Sequence, residues 1–327
     1  MKKWLLASGA VIAAASYCYF SPKPAAALLK KAFEKGLATP PPAFSDWQQR
    51  VTVQRDLSYP SRYPQHTFDM FSPNSSARSS VILWVHGGAY VGGDKRDIDI
   101  YATSLAAHGY HVLSMNYALA PTAHYPAPLH QVAELYTYLQ QHYAHLLDTI
   151  IIAGDSAGAQ IAAQFMITQL DTSYAEKIGI PQVIPPSQLR GAILCCGPYD
   201  LQQLDTLSKH PLLAELLQRA GWAYMGTRQW KQLPRTKLAS VIDYIPSTFP
   251  ATFLTDGNAH TFTSHALALE KKFQTLQIPH TTVLYDEQEA QLFHEYQFIM
   301  DTPHAMQTFQ ALLSFLATID KPSSHSL

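Results

Sequence analysis

The sequence predicts an α/β fold with a mostly parallel central sheet that is covered by helices on both faces. Four short runs are continuously apolar instead of alternating, which is typical of strands buried on both faces of a parallel sheet. These runs lie at 81–85, 112–115, 150–153 and 192–196. Helical patterns lie at about 97–108, 126–143, 157–170, 262–276 and 303–318. This alternation predicts strands joined by right-handed helical crossovers in one layered domain.

Shorter patterns complete the predicted sheet. Residues 51–57 and 67–71 alternate apolar and polar side chains and predict an antiparallel pair at one edge. Residues 251–255 and 281–285 predict the last two strands. Residues 201–246 contain helical patches and large aromatic side chains, with no strand pattern. An insertion of this kind predicts a helical cap over the carboxyl edge of the sheet, where α/β ligand sites lie.

The first 42 residues have a different character. Lysines at positions 2 and 3 precede an uncharged stretch at 4–20, the layout of a signal peptide or an N-terminal anchor. A helical stretch at 25–37 and three prolines at 40–42 follow. We therefore expect a leader and linker over 1–42 and one folded domain over 43–327. The protein is expected to be exported or anchored to a membrane; the alternative is an apolar lid helix in a cytoplasmic protein.

Composition excludes several classes of protein. With 47% hydrophobic and 14% charged residues among 327, the chain is neither disordered nor collagen-like. The 23 Lys and Arg balance 24 Asp and Glu and form no basic run, which argues against nucleic-acid binding. The metal-binding spacings H-E-x-x-H and C-x-x-C do not occur. We expect no metal.

One glycine-rich turn predicts a nucleophile. The run Gly154-Asp155-Ser156-Ala157-Gly158 directly follows a predicted strand and directly precedes a predicted helix, the context of a nucleophile elbow. Side chains at 154 or 158 would collide with neighbouring backbone in so sharp a turn, and its strain exposes the Ser156 hydroxyl. Asp155 is expected to organise the loop. The alternative is a glycine turn that only packs tightly.

A second glycine-rich turn follows the strand at 81–85. It reads His86-Gly87-Gly88-Ala89-Tyr90. Backbone N–H groups in such a turn can approach the alkoxide that forms during acyl transfer. Gly87 and Gly88 are therefore expected to donate to that oxygen, together with Ala157 of the first turn. His86 is expected to order the loop through hydrogen bonds.

Four motifs together resemble a known family. They are His86-Gly87-Gly88, the Asn-Tyr-Ala-Leu-Ala-Pro stretch at 116–121, the Tyr-Pro-Ala-Pro stretch at 125–128, and Gly154-Asp155-Ser156-Ala157-Gly158. In order and spacing they resemble the hormone-sensitive-lipase-like branch of the α/β-hydrolase fold, over roughly residues 80–320. The resemblance implies a capped carboxylesterase or lipase-like enzyme that acts on short acyl esters and needs no cofactor. It also implies that Ser156 is the nucleophile, that Gly87, Gly88 and Ala157 are the oxyanion donors, and that His294 is the general base.

His294 also fits the chain order of a catalytic triad. It follows the predicted strand at 281–285, precedes the last helix, and comes after the serine and the acid. In the resembled family the next residue is usually Gly, whereas here it is Glu295.

The acid is the point at which the sequence departs from that family. The family's place for it, three residues after Gly257, holds His260. Asp256, at the end of the strand at 251–255, is the predicted acid. Asp200, after the strand at 192–196, is an alternative acid, and Asn258 is an alternative replacement for it.

These residues predict a serine hydrolase. Ser156 attacks an ester carbonyl with His294 as the base, an acyl-enzyme forms, and water releases the acid. The alternatives are an amidase or peptidase that uses the same site, and a non-catalytic binding protein on a hydrolase fold. The expected partner is a small-molecule ester, with membrane association through the N-terminal segment.

Overall fold

An eight-stranded sheet forms the centre of the protein. A computed structural model describes residues 16–75, 78, 80–207 and 211–320. The strands are β1 Val51–Ser58, β2 Thr67–Pro73, β3 Ser80–Val85, β4 His111–Met115, β5 Thr149–Asp155, β6 Leu189–Cys195, β7 Ala251–Thr255 and β8 His280–Val283. Their order across the sheet is β1-β2-β4-β3-β5-β6-β7-β8. β2 pairs antiparallel with β1 and β4, and the other pairs are parallel. The mostly parallel sheet with an antiparallel pair at its edge is thus confirmed.

Two apolar clusters, one on each face of the sheet, explain the continuous apolar runs. In β3, Val81, Leu83 and Val85 enter one cluster, whereas Ile82 and Trp84 enter the other. All five side chains are almost completely buried. Successive side chains of a strand point to opposite faces, so a strand covered on both sides must be apolar at every position.

Helices cover both clusters. They are α1 Lys23–Phe33, α2 Phe44–Gln48, α3 Asp99–Ala107, α4 Ala127–His142, α5 Ala157–Leu170, α6 Thr172–Ile178, α7 Pro211–Met225, α8 Pro234–Ala239, α9 Thr263–Thr275 and α10 Pro303–Ile319. Short 3₁₀ segments lie at Lys95–Ile98, Ala144–Leu146, Pro186–Gln188, Leu201–Leu207, Trp230–Gln232, Val241–Tyr244 and Tyr296–Phe298. α4 and α5 pack on one face of the sheet, and α3 and α10 pack on the other. Between β6 and β7 the described residues form only helical segments and loops, as the sequence predicts for 201–246.

The N-terminal helix differs from its sequence-based interpretation as part of a leader. α1 packs against α7 and buries Ala25, Ala26 and Leu29. The helix also lies close to the loop after β3, since a Cβ on Gly92 would lie only 3.0 Å from Lys30 Cα. The chain after the helix also joins the body of the protein, because the N–H of Thr39 donates to Phe298 O and the N–H of Met300 donates to Thr39 O. The stretch from α1 to Thr39 is therefore integrated into the fold.

Most of the predicted signal or anchor stretch at 4–20 lies outside the described residues. Among those that are described, no helix combines the length and the apolar character needed to cross a membrane.

Candidate active site

Ser156 stands at a strained turn between β5 and α5. Its backbone has φ 50° and ψ −121°, a conformation that costs energy for any residue with a side chain. Both flanking glycines are required by close packing. A Cβ on Gly154 would lie 2.4 Å from Gly158 O, and a Cβ on Gly158 would lie 2.0 Å from Val85 O. The Ser156 N–H donates to Cys195 O at 2.8 Å, which ties the turn to the end of β6.

His294 lies beside that serine. Its Nε2 is 2.9 Å from Ser156 Oγ, although the two residues are 138 positions apart in the chain. Desolvation of the ring by the surrounding protein lowers the pKa of His294 to about 4. The imidazole is therefore neutral near pH 7, so Nε2 can accept the hydroxyl proton of Ser156.

Asp256 is close to His294, but it reaches the ring through another side chain. The carboxylate is completely buried at the end of β7. One of its oxygens, a nitrogen of His294 and the Sγ of Cys196 lie within 4.8 Å of one another. Thr261 Oγ1 donates to Asp256 Oδ1 and lies 2.8 Å from His294 Nδ1. Burial raises the pKa of Asp256 to about 7, against the lowering effect of the hydrogen bond from Thr261.

The two alternative residues make other contacts. The carboxylate of Asp200 accepts hydrogen bonds from Gln202 N at 3.0 Å and Gln203 Nε2 at 2.7 Å, so it stabilises its own turn. Asn258 donates to the main-chain oxygens at 285 and 290 and accepts from the N–H at 292. Within the described part of the chain, neither side chain hydrogen-bonds to His294.

The structure corrects the role expected for Gly87. Its N–H donates to Asp155 Oδ2 at 2.8 Å and is therefore not available to a substrate oxygen. The N–H groups of Gly88 and Ala89 make no hydrogen bond to any described residue. Ala157 is the first residue of α5, so its N–H has no acceptor within the helix. Gly88, Ala89 and Ala157 thus offer N–H groups that no described residue engages, and the sequence does not predict Ala89 among them.

Asp155 organises this loop as expected. Besides Gly87 it accepts a hydrogen bond from Trp84 Nε1 at 2.7 Å. Burial raises its pKa to about 6. A hydrogen bond also joins Asp155 to Glu295. Burial and the charge of Asp155 raise the pKa of Glu295 well above its usual range. The raised pKa favours a protonated Glu295 that donates to Asp155, which fastens the loop of His294 to the loop of Gly87.

His86 orders its own turn, also as expected. Its Nδ1 lies 2.7 Å from Gly87 O, and its ring stacks on Tyr117 with centroids 4.4 Å apart. Burial lowers its pKa to about 4, so the neutral ring donates from Nδ1 near pH 7.

A cavity of about 460 Å³ opens beside His294. Its lining combines residues of the two catalytic loops with the N-terminal stretch at 32, 33 and 35–38: Gly87, Gly88, Gly93, Asp97, Asp155, His294, Glu295 and Phe298 complete it. Its volume suits a small organic molecule. The sequence does not predict the cavity wall formed by α1 and the chain after it, because the pattern of this stretch indicates a leader and linker.

Two further contacts were missed at the sequence level. Glu295 gave a signal, because it directly follows His294 in place of the usual glycine of the resembled family. Thr261 gave none, because its position between Asp256 and His294 depends on the path of two loops.

Comparison with known proteins gives one family and several relatives. Residues 68–271 match the model of the BD-FAE family. An acetyl esterase of Salmonella schwarzengrund is 30% identical over 112 residues, which are 33% of this chain and 34% of that protein. The matched segment thus spans about a third of that relative's length.

Solved structures resemble the whole chain. Esterase B from Lactobacillus rhamnosis superposes with a TM-score of 0.71 at 20% identity, covering 97% of this chain and 96% of that one. An esterase of Pyrobaculum calidifontis superposes with a TM-score of 0.65 at 18% identity, covering 92% of this chain and 93% of that one. At these identities the likeness establishes the fold.

Proposed function

The chain belongs to the BD-FAE family, and we propose that it is a serine carboxylesterase that hydrolyses short acyl esters through an acyl-enzyme. Its fold is the α/β-hydrolase fold, as the sequence motifs predict. The observation that carries the proposal is the 2.9 Å contact between Ser156 Oγ and His294 Nε2 at a strained strand-to-helix turn. The acetyl esterase among the relatives supports a short acyl group.

In the proposed reaction, Ser156 Oγ attacks the ester carbonyl while its proton passes to His294 Nε2. The carbonyl oxygen becomes an alkoxide, which accepts hydrogen bonds from the N–H groups of Gly88, Ala89 and Ala157. His294 then gives the proton to the leaving alcohol, and the acyl-enzyme remains. Water attacks the acyl-enzyme by the same steps and releases the carboxylic acid. We assign Asp256 as the acid that stabilises the imidazolium.

The apolar wall of the cavity supports a small, weakly charged ester as substrate. Phe33, Leu37, Ala38 and Phe298 line the same cavity as His294. Burial of an acyl or alkyl group there is favourable by about 25 cal/mol per Å² of apolar surface.

Substitution of Ser156 by Ala tests the proposal. We expect hydrolysis of p-nitrophenyl acetate to fall by at least about 10⁴-fold. A fluorophosphonate probe should label the wild-type chain and fail to label the variant. Ser314→Ala is the matched control, because that hydroxyl lies on α10 and donates only to its own helix at Gln310 O. Comparable turnover by S156A, or no labelling of the folded wild-type protein, would refute the proposal.

The same protein separates an esterase from an amidase or peptidase. Turnover of a p-nitrophenyl ester is compared with turnover of the matching p-nitroanilide. We expect the ester to be preferred; faster cleavage of the anilide would assign the site to amide hydrolysis.

Export or anchoring through the N-terminal stretch is also a proposal, supported by the lysines and the uncharged run at 4–20. Fractionation of cells that express the full chain, with N-terminal sequencing of the product, tests it. Recovery of the intact chain in the cytosol alone would contradict it.

A further inference from the structure

Asp256 is held away from the His294 ring by the packing of the loop that follows it. A Cβ on Gly257 would lie 2.5 Å from both Leu292 O and Phe293 O, so the two chains are in close contact there. The N–H groups of Asn258 and Ala259 both donate to Leu292 O, at 2.8 and 2.9 Å. The loop after β7 is therefore fastened to the chain that leads to His294, which fixes the main chain at Asp256 relative to the ring.

His260 does not supply the missing carboxylate contact. It occupies the place at which the resembled family carries its acid, yet it is exposed and has a φ of 51°. Its ring stacks on Phe293 at a centroid distance of 6.1 Å. The next residue, Thr261, turns inward instead and fills the gap between Asp256 and His294.

The hydrogen bonds at Thr261 have a single consistent direction. A hydroxyl has one proton to donate and two lone pairs that accept. Thr261 Oγ1 donates its proton to Asp256 Oδ1, so toward His294 it can only accept. His294 Nδ1 must then carry the ring proton, which leaves Nε2 unprotonated and able to accept from Ser156.

We propose that Thr261 is a positioning residue of this enzyme: its hydroxyl connects Asp256 to His294, fixes the tautomer that accepts the serine proton, and transmits the charge of Asp256 to the imidazolium. The inference rests on the proposed function, since it concerns the same site. No bond to Thr261 is made or broken in the reaction, so it acts only through His294.

Protonation of Asp256 would reverse this arrangement. The carboxyl group would then donate to Thr261 Oγ1, Thr261 would donate to His294 Nδ1, and the ring proton would move to Nε2. The burial that raises the pKa of Asp256 to about 7 brings the reversal into an accessible range of pH. The titratable side chains that face Asp256 are Cys195, Cys196, Tyr199 and Glu295, besides His294. The two cysteines and Tyr199 are neutral across this range because burial raises their pKa values.

The test compares Thr261→Val with Thr261→Ser. Valine keeps the shape and removes the hydroxyl, whereas serine keeps the hydroxyl. We expect T261V to lower kcat for p-nitrophenyl acetate by about 10²-fold, because the tautomer is no longer fixed, and to leave KM within about 2-fold. T261S should recover to within about 5-fold of wild type. The fall in kcat on the acid side, with a midpoint near pH 7 in wild type, should be absent in T261V.

Thr263→Val is the matched control. This threonine begins α9 directly after the same loop and donates to Gly257 O at 2.8 Å, so the loss of its hydroxyl perturbs the loop without breaking the connection to His294. We expect T263V to keep kcat within about 3-fold of wild type. If T263V loses as much kcat as T261V, the effect of Thr261 is a general loosening of the loop and the proposal fails.

A double substitution gives a measurement that does not depend on the fold of T261V alone. If the charge of Asp256 acts through Thr261, D256N/T261V should have the same kcat as the slower single variant. Losses that multiply would show that Asp256 and Thr261 act independently and would overturn the inference. Wild-type kcat in T261V would do the same. These results are distinguishable from failure of the proposed function, which would show as undiminished activity in S156A.

Discussion

Gly158→Ala tests how closely the first turn of α5 must pack beneath the two glycine-rich turns. The added Cβ would lie 2.0 Å from Val85 O and 2.5 Å from His86 O, whereas ordinary contacts begin at 3.4 Å. Both neighbours are main-chain atoms and cannot rotate away. Overpacking of this kind costs about 3 kcal/mol, and the better helix propensity of alanine returns about 1 kcal/mol. We therefore expect the free energy of unfolding to fall by about 2 kcal/mol.

The displacement should also reach the reaction. Relief of the clash moves the end of β3, and with it Gly88 and Ala89, by roughly 1 Å, a misplacement that costs about 10²-fold in rate. Calorimetry should show a Tm lower by about 4 °C, and p-nitrophenyl acetate hydrolysis should show the fall in kcat. Gly179→Ala is the control: no atom lies within 4 Å of its Cβ, so only the positive φ of 79° is strained and kcat should not change. A G158A protein with wild-type Tm and kcat would refute the packing argument.

Two other substitutions probe the cavity and its pH dependence. Glu295→Gln keeps a donor to Asp155 but cannot ionise. Because burial raises the pKa of both carboxyl groups, the folded state holds their protons more tightly than the unfolded chain and loses stability as pH rises. The decline of Tm as the pH rises above about 4.5, the ordinary pKa of a Glu carboxyl, should therefore be shallower in E295Q, and an unchanged decline would contradict the shared proton. Phe33→Ala enlarges the cavity and should raise the ratio of kcat/KM for octanoate over acetate esters by up to about 10-fold; an unchanged ratio would place the acyl group elsewhere.

The fold was predictable where burial dictates composition. The run at 81–85 is apolar at every position because β3 contributes to both clusters, and this requirement is visible in any single sequence. Element ends were less predictable. The helix expected at 97–108 begins as a 3₁₀ turn at Lys95–Ile98, where the side chains of Asp94 and Asp97 form a capping box. The last strand is four residues long, at His280–Val283, and not 281–285.

The site was predictable only as far as chain order and turn geometry determine it. A strand-to-helix turn with glycines predicts where Ser156 stands, and the order of the chain selects His294. The glycine motif does not predict which N–H groups are free to bind substrate. The N–H of Gly87 is not, because it donates to the side chain of Asp155 in another loop. Likewise the contact between Thr261 and His294 joins residues that are 33 positions apart. It depends on main-chain hydrogen bonds between their two loops, which no local sequence pattern predicts.

The wall of the cavity at 32–38 has a consequence for how this protein can change. That stretch lines the cavity beside His294 but contributes no strand to the central sheet, and main-chain bonds at Thr39 and the buried face of α1 hold it in place. In the proposed esterase, the wall that contacts the ester is thus separate in the chain from the strands of the sheet. Selection for new esters can alter the wall residue by residue, while the strands that end at Ser156 and Asp256 and the loop that carries His294 stay as they are.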